Sequence, residues 1–221
     1  FSRAMRRCVV GLLLVLLFGT LAAACSRSNG PPGETTLQRI KRTGVIRVGY
    51  ANEAPYAYID PATGKLTGES PEVLRHIAKK MGVKKIEGVL TEFGSLIPGL
   101  NAGRFDVIAA GMYITPQRAK EISFSNPTYS IGEGFIVQKG NPLNLHSYSD
   151  VVNNAKALLG AVAGAMEQQY AKALKVPSDQ LVVFPDAPSA VAGVIAGRID
   201  AYSGTSLTVR DLLKKAASDR L

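Results

Sequence analysis

The chain has 221 residues, of which 46% are hydrophobic and 19% charged, enough to fold around cores in one large domain or two small α/β lobes. Its net charge of +9 is spread along the sequence in groups no longer than Lys79-Lys80 and Lys84-Lys85, so it reads as a basic soluble surface rather than a nucleic-acid stripe, and no nucleic-acid partner is expected. The only cysteines are Cys8 and Cys25 and the only histidines His76 and His146, so no disulfide is expected after residue 25, nor a zinc site of about four clustered ligands, nor any cofactor.

Chain order begins with an address. Met5-Arg6-Arg7 precedes the apolar run Val9 to Phe18, then Gly19-Thr20-Leu21-Ala22-Ala23-Ala24-Cys25. A basic start, an apolar middle and small residues before a cut make a signal peptide over residues 1–24. The apolar run is shorter than the ~20 residues that a membrane span needs. Small residues ending at a cysteine resemble a bacterial lipobox, which makes Cys25 the lipidated first residue of the mature protein. An ordinary secretory signal with an incidental cysteine is the alternative. Phe1 to Ala4 read as translated sequence upstream of the true start. Without Arg3, Arg6 and Arg7, 23 basic residues face 17 acidic ones, a mature charge of +6. Residues 25–35 are polar and rich in Gly and Pro, a flexible tether. This places the protein in the periplasm or on the outer face of the cell membrane, held there by lipid.

From Thr36 onward helix and strand signals alternate. Val45-Ile46-Arg47-Val48-Gly49-Tyr50 predicts a strand. Tyr56 to Gly68 fits a hairpin turning at Asp60-Pro61-Ala62-Thr63-Gly64. Ser70-Pro71 predicts a helix start with Ser70 as cap; Val73, Leu74, Ile77 and Met81 share one face, and Gly82 ends the helix. A strand near residues 83–90 and a helix from about Ser95 to Ala102 follow.

An internal echo carries the most information. Gly99-Leu100-Asn101-Ala102-Gly103-Arg104-Phe105-Asp106 matches Gly193-Val194-Ile195-Ala196-Gly197-Arg198-Ile199-Asp200, 94 residues later. Each copy reads as a helix, a left-handed Gly cap, Arg, then a strand opened by Asp. Two similar α/β lobes, one unit each, follow from this, although such local grammar also recurs by chance. Ligands gather outside the carboxyl ends of strands in open α/β sheets. Those ends are Ala110-Gly111-Met112-Tyr113 in the first copy and the region of Thr205, at the offset of Gly111, in the second. Facing each other they make a cleft between hinged lobes.

Tyr113-Ile114-Thr115-Pro116-Gln117-Arg118 lies between a strand end and a helix. Thr115 is placed to cap that helix, with Arg118 in its first turn. A cation there is disfavoured by the helix dipole, which a bound carboxylate clamped by the guanidinium explains; an ordinary surface arginine is the bland alternative. Thr115, Arg118 and Phe124-Ser125-Asn126-Pro127-Thr128-Tyr129 resemble the signature of family 3 solute-binding proteins. So do Val45-Ile46-Arg47-Val48-Gly49 and Ala196-Gly197-Arg198-Ile199-Asp200-Ala201-Tyr202. The resemblance implies a two-lobed α/β fold of the type II periplasmic-binding class, a ligand cleft between the lobes, and Arg118 on the ligand carboxylate. Lobe 1 is then residues 36–130, and residues 131–221 hold the hinge and an incomplete lobe 2. That fold returns its chain to the first lobe, so the resemblance also implies a missing C-terminal return segment and exposed apolar surface on lobe 1.

Three further runs, Gly49-Tyr50-Ala51-Asn52-Glu53-Ala54-Pro55-Tyr56-Ala57-Tyr58, Thr91 to Leu100 and Ala109 to Pro116, resemble the ectoine/hydroxyectoine-binding branch of the family. That resemblance implies an aromatic box of Tyr56, Phe93 and Tyr113, with Glu53 as the assisting acid. The chemistry agrees: a cyclic amidinium spreads its charge over a flat ring, which aromatic faces attract by ~0.5–2 kcal/mol each when desolvated. Core packing is the alternative for any single aromatic, Phe93 above all. In the second lobe, Gly160-Ala161-Val162-Ala163-Gly164-Ala165-Met166-Glu167 reads as strand, turn and helix, with the N–H groups of Ala165 and Met166 able to face an anion. Amino-acid-binding relatives carry a hydroxyl residue near Ala165 and an acid where this chain has Thr205. Both departures point away from a free α-ammonium.

The expected function is therefore capture of a small zwitterion, ectoine or hydroxyectoine, for the permease subunits of an ABC importer. Polar amino-acid binding and a dehydratase on the same fold are the alternatives. An enzyme needs a positioned acid, for which Glu53 is the one candidate, and no His, Cys or Ser constellation suggests nucleophilic catalysis. No catalytic residue is expected.

Overall fold

The computed structural model describes residues 31, 33–216 and 218–221. The signal peptide and the lipidation site at Cys25 lie outside the described residues. The chain parts into units 1–39 and 40–221. In the first, Thr35 and Gln38 form a capping box: Thr35 N–H donates to Gln38 Oε1 at 2.8 Å, and Gln38 N–H donates to Thr35 Oγ1 at 3.2 Å. This opens helix α1, Thr36–Thr43.

The second unit carries two separate sheets. Strands β1 (Val45–Tyr50), β4 (Lys85–Leu90) and β5 (Val107–Ile108) form a parallel sheet in the order β4-β1-β5. A small hairpin of β2 (Tyr58–Ile59) and β3 (Leu66–Thr67) stands beside it. Its turn is held by Asp60 Oδ1, which accepts the Ala62 N–H at 2.8 Å. The core of this sheet gathers Ile46, Val48, Tyr50, Leu66 and Ala109, with Leu74 and Ile86 packed against them. The other sheet runs β6 (Glu133–Val137), β9 (Ala201–Thr205), β7 (Leu159–Val162), β8 (Leu181–Phe184). Strands β7, β8 and β9 are parallel, whereas β6 lies antiparallel to β9. Ile136, Val194, Ile199 and Tyr202 make the core on one face. Val151, Leu159, Ala171 and Ala201 make the core on the other.

Helices complete each sheet. Helix α2 is Glu69–Lys80 and α3 is Leu96–Asn101, preceded by a 3-10 turn at Phe93–Ser95. Helices α4 (Tyr148–Asn153), α5 (Met166–Ala173), α6 (Ala187–Ile195) and α7 (Ser206–Ala216) belong to the second sheet. No helix among the described residues is long and apolar enough to cross a membrane.

The helix start at Ser70 is corrected. Helix α2 begins two residues earlier, at Glu69, with Gly68 at its N-cap at φ 116 and no side-chain cap. The Ser70 hydroxyl is spent elsewhere: it donates to Glu69 Oε2 at 2.7 Å and accepts the Gly111 N–H at 3.1 Å. Of the shared apolar face of this helix, Leu74 packs into the core. Val73, Ile77 and Met81 remain 38%, 48% and 39% exposed.

The echoed segments fold alike. Gly103 and Gly197 take φ +69 and +70, a left-handed turn that Gly adopts without steric cost. Asp106 Oδ2 then accepts the Arg47 N–H at 2.8 Å, and Asp200 Oδ2 accepts the Leu158 N–H at 2.8 Å. In each lobe the aspartate that opens one strand thus pins the start of its parallel neighbour.

Candidate functional site

The carboxyl ends of β1 and β5 and of β7 and β9 converge on one cavity. It is lined by Glu53, Tyr56, Phe93, Gly111, Tyr113, Ala165, Glu167 and Thr205, together with Ala110, Val162, Met166 and Tyr202. Seven of the sequence-predicted contacts are thereby brought together: Glu53, Tyr56, Phe93, Gly111, Tyr113, Ala165 and Thr205. Arg118 and Thr115 are not on that wall.

Each side chain is placed by local structure. Glu53 and Tyr56 ride a tight loop after β1, closed by Glu53 N–H donating to Ala57 O at 2.7 Å. Tyr56 stacks on Tyr129 with ring centroids 5.7 Å apart and planes 4° from parallel. Gly111 takes φ +62, and a Cβ there meets Tyr56 Cγ at 2.7 Å and the Tyr129 hydroxyl at 2.8 Å. Only glycine lets the strand end pass so close beneath the Tyr56 ring. Tyr113 donates its hydroxyl toward Ile131 O and Glu133 Oε1, both at 3.1 Å. The hydroxyl carries one proton, so these acceptors share it.

Arg118 is 5% exposed and bridges the lobes. Its Nη1 donates to Tyr113 O at 2.9 Å and its Nη2 to Gly164 O at 2.8 Å. The guanidinium lies 5.7 Å from the Phe93 ring centroid, a cation–π contact. Thr115 acts through it: Thr115 Oγ1 accepts the Arg118 N–H at 3.1 Å, opening the 3-10 turn Arg118–Lys120. Burial lowers the affinity of the guanidinium for its proton and the charge of Glu167 opposes this, but an arginine stays ionised.

The Ala165 N–H is corrected. It donates to Val162 O at 3.2 Å, within the turn after β7. At the start of α5 the Glu167 carboxyl accepts from its own backbone N–H, so that donor too is taken within the chain.

Three acids face one another here, and only Glu53 was legible in the sequence. Burial raises the Glu53 carboxyl above its ordinary range; the Thr208 hydrogen bond opposes that shift and the charge of Glu133 adds to it. Glu167 is 5% exposed and is pushed up to about 9, first by burial and then by Glu133. Glu133 Oε2 is buried without a hydrogen-bond partner. A proton held by Glu167 removes the repulsion between the two carboxyls. Sequence reasoning also missed Tyr129 and Thr208. Tyr129 stood inside the family signature, but nothing in the pattern showed that it stacks on Tyr56. Among the described residues no group of three or more His, Cys, Asp or Glu side chains is placed to hold a metal ion.

The site can grip a flat cation between aromatic rings and acids, with a buried guanidinium nearby for a carboxylate. Comparison with known proteins agrees with this fold. Residues 46–180 match the model of bacterial extracellular solute-binding proteins, family 3. A probable amino-acid ABC transporter periplasmic-binding protein of Sinorhizobium fredii is 42% identical over 186 residues, which are 83% of this chain and 61% of that protein. The chain thus spans less than two thirds of that relative's length. The crystal structure of EhuB in complex with hydroxyectoine is similar at TM-score 0.79 and 39% identity, covering 83% of this chain and 71% of EhuB. An ancestral amino-acid-binding protein, AncCDT-1, a precursor of cyclohexadienyl dehydratase, is similar at TM-score 0.74 and 32% identity, covering 82% of this chain and 79% of its own. With its two α/β sheets and the cavity at their strand ends, the chain has the two-lobed type II periplasmic-binding fold and belongs to the bacterial extracellular solute-binding proteins of family 3.

Proposed function

We propose that this protein captures ectoine- or hydroxyectoine-like compatible solutes outside the cytoplasmic membrane and delivers them to the permease of an ABC importer. The observation that carries this reading is the meeting of Tyr56, Phe93 and Tyr113 with Glu53 on one cavity. Aromatic faces and an acid suit a delocalised cationic ring. The similarity to EhuB, solved with hydroxyectoine, supports the same ligand class. Arg118 takes the ligand carboxylate, exchanging its bonds to the neutral Tyr113 and Gly164 carbonyls for stronger ones to a charged acceptor. Lobe 1 spans residues 36–130, and the hinge and lobe 2 follow from 131. Cys25 carries the lipid that keeps the protein at the membrane. The protein binds and releases its ligand without converting it.

A second reading, a polar amino-acid ligand, is favoured by the Sinorhizobium relative. Against it, Thr205 supplies a hydroxyl and no charge to an α-ammonium. Calorimetric titration of the mature protein with ectoine, hydroxyectoine, glycine betaine and a panel of α-amino acids separates the two. Tight binding of the ectoines alone is expected. Tight binding of an amino acid alone keeps the fold and overturns the ligand.

A further inference from the structure

A directed chain of hydroxyls runs across the cleft. Tyr56 OH donates to Thr205 Oγ1 at 2.8 Å, Thr205 Oγ1 donates to Thr208 Oγ1 at 3.1 Å, and Thr208 Oγ1 donates to Glu53 Oε1 at 2.7 Å. Each hydroxyl has one proton, so its donor and acceptor roles interlock and the end of the chain fixes its direction. That end is the Glu53 carboxylate; the Ala54 carbonyl, 3.4 Å from Thr208 Oγ1, is the poorer acceptor.

The geometry is that of a clasp. Its first and last members, Tyr56 and Glu53, sit on one loop of the first lobe. Its middle members, Thr205 and Thr208, sit where β9 runs into α7 in the second lobe. Thr205 is 8% exposed and Thr208 is 1% exposed, so solvent cannot replace a lost partner while the lobes are together. Bonds in such a chain polarise one another, and the two that cross between the lobes, Tyr56 to Thr205 and Thr208 to Glu53, break together when the lobes part. Thr205 borders the cavity, whereas Thr208 does not.

We propose that Thr208 is a positioning residue and, with Thr205, the latch of the cleft: it orients Glu53 toward the ligand's positive group and sets how long the closed state lasts. This rests on the reading of Glu53 as the acid that meets that group. The latch acts on dissociation, because its two cross-lobe bonds form only after the lobes meet.

Thr208→Val keeps the side-chain shape and removes the hydroxyl. Stopped-flow binding of ectoine to the mature protein is expected to show dissociation about tenfold faster or more, with association changed by less than about threefold. Thr208→Ser restores the donor and is expected to return dissociation to within about threefold of wild type. Equal dissociation rates in wild type and Thr208→Val overturn the latch, as does a Thr208→Ser protein as fast as Thr208→Val. If wild type binds no ectoine, the ligand reading has failed, and the latch is still tested without ligand. Spin labels at the exposed Thr63 and Lys172 of the mature protein, with Cys25 changed to Ser, report the distance between lobes. A shift toward longer distances in Thr208→Val supports the latch, and superimposable distributions overturn it. Should Thr208→Val not fold, Tyr56→Phe removes the first donor of the same chain and is read in the same two ways.

Discussion

The echoed units of the two lobes share a scaffold and differ in what their strand ends offer. In both, a left-handed Gly cap leads to a buried apolar residue, Phe105 or Ile199, each 1% exposed. That residue fills space left by glycines. A Cβ on Gly49 meets Phe105 at 2.5 Å, and one on Gly160 meets Ile199 at 2.5 Å. The echo therefore reaches back into β1 and β7, where Arg47-Val48-Gly49 answers Leu158-Leu159-Gly160 and only the glycine is shared. At the strand ends the likeness stops. The first copy has a two-residue strand and then Gly111, which passes beneath the Tyr56 ring. The second is held as strand through Thr205, because β6 runs antiparallel beside it and pairs Glu133 with Thr205. The first lobe thus brings aromatic rings, the guanidinium and Glu53, and the second brings Glu133, Glu167 and hydroxyls. One scaffold used twice leaves the ligand chemistry to the residues just past the repeat.

The scaffold is where that likeness breaks most severely. Asp106 holds both the Arg47 N–H and its guanidinium, with Nη2 donating to Oδ1 at 2.7 Å and the aspartate side chain only 2% exposed. The Asp200 side chain accepts the Leu158 N–H and, among the described residues, meets no arginine in that way. Asp106→Ala is expected to cost about 3–5 kcal/mol in urea unfolding, since it strips a half-buried arginine of its partner. Asp200→Ala is expected to cost about 1–3 kcal/mol, the loss of one buried backbone partner. Equal costs would mean that the arginine pair adds nothing and that the two pins are equivalent.

Ligand binding separates the lobes next. Arg118→Ala is expected to weaken a zwitterion by about 2–5 kcal/mol in calorimetry, because the carboxylate loses its charged partner in an enclosed site. An unchanged affinity removes Arg118 as the anchor and moves the carboxylate to the second lobe.

The acids of the second lobe predict a pH dependence. Glu167 keeps its proton up to about 9 in the folded protein, whereas an unfolded glutamate loses it near ~4.3. Between those values the unfolded state binds fewer protons, so stability is greatest at the acid end and falls as pH rises toward 9. The expected loss is at least ~1.4 kcal/mol, the worth of one pKa unit. Glu167→Gln is expected to flatten this slope, read from urea midpoints across the range. A slope that persists in Glu167→Gln assigns the titration to another group, Glu53 first.

Much of this was legible because it is local. The Gly caps at 103 and 197, the aspartates that follow and the hairpin turn at Asp60 follow from short-range rules of turn and strand chemistry, whereas the aromatic positions rested on the family resemblance. What was not legible depends on pairing at a distance. Glu133 reaches the site only because β6 folds back antiparallel on β9. Thr208 reaches Glu53 across 155 positions, and no spacing rule connects them. Ser70 looked like a helix cap because Pro71 follows it, but its hydroxyl is claimed by Gly111 from a strand end 41 residues away. The Ala165 N–H is taken by Val162 O within the turn after β7, although Ala165 itself lines the cavity.

The smallest effect decides what Tyr113 contributes. Its ring borders the cavity while its hydroxyl points at Ile131 O and Glu133 Oε1. Tyr113→Phe keeps the ring and gives up the hydroxyl, an expected change in ligand affinity of no more than about 0.5–1.5 kcal/mol. Tyr113→Ala removes the ring as well. If an aromatic face holds the ligand's cation, calorimetry with ectoine should show a further ~0.5–2 kcal/mol lost between Phe and Ala. Equal losses in the two variants would mean that Tyr113 serves the ligand by orienting Glu133 and not by its face. The first lobe would then lose one wall of its aromatic box, and recognition of the cation would fall to Glu53 and the two remaining rings.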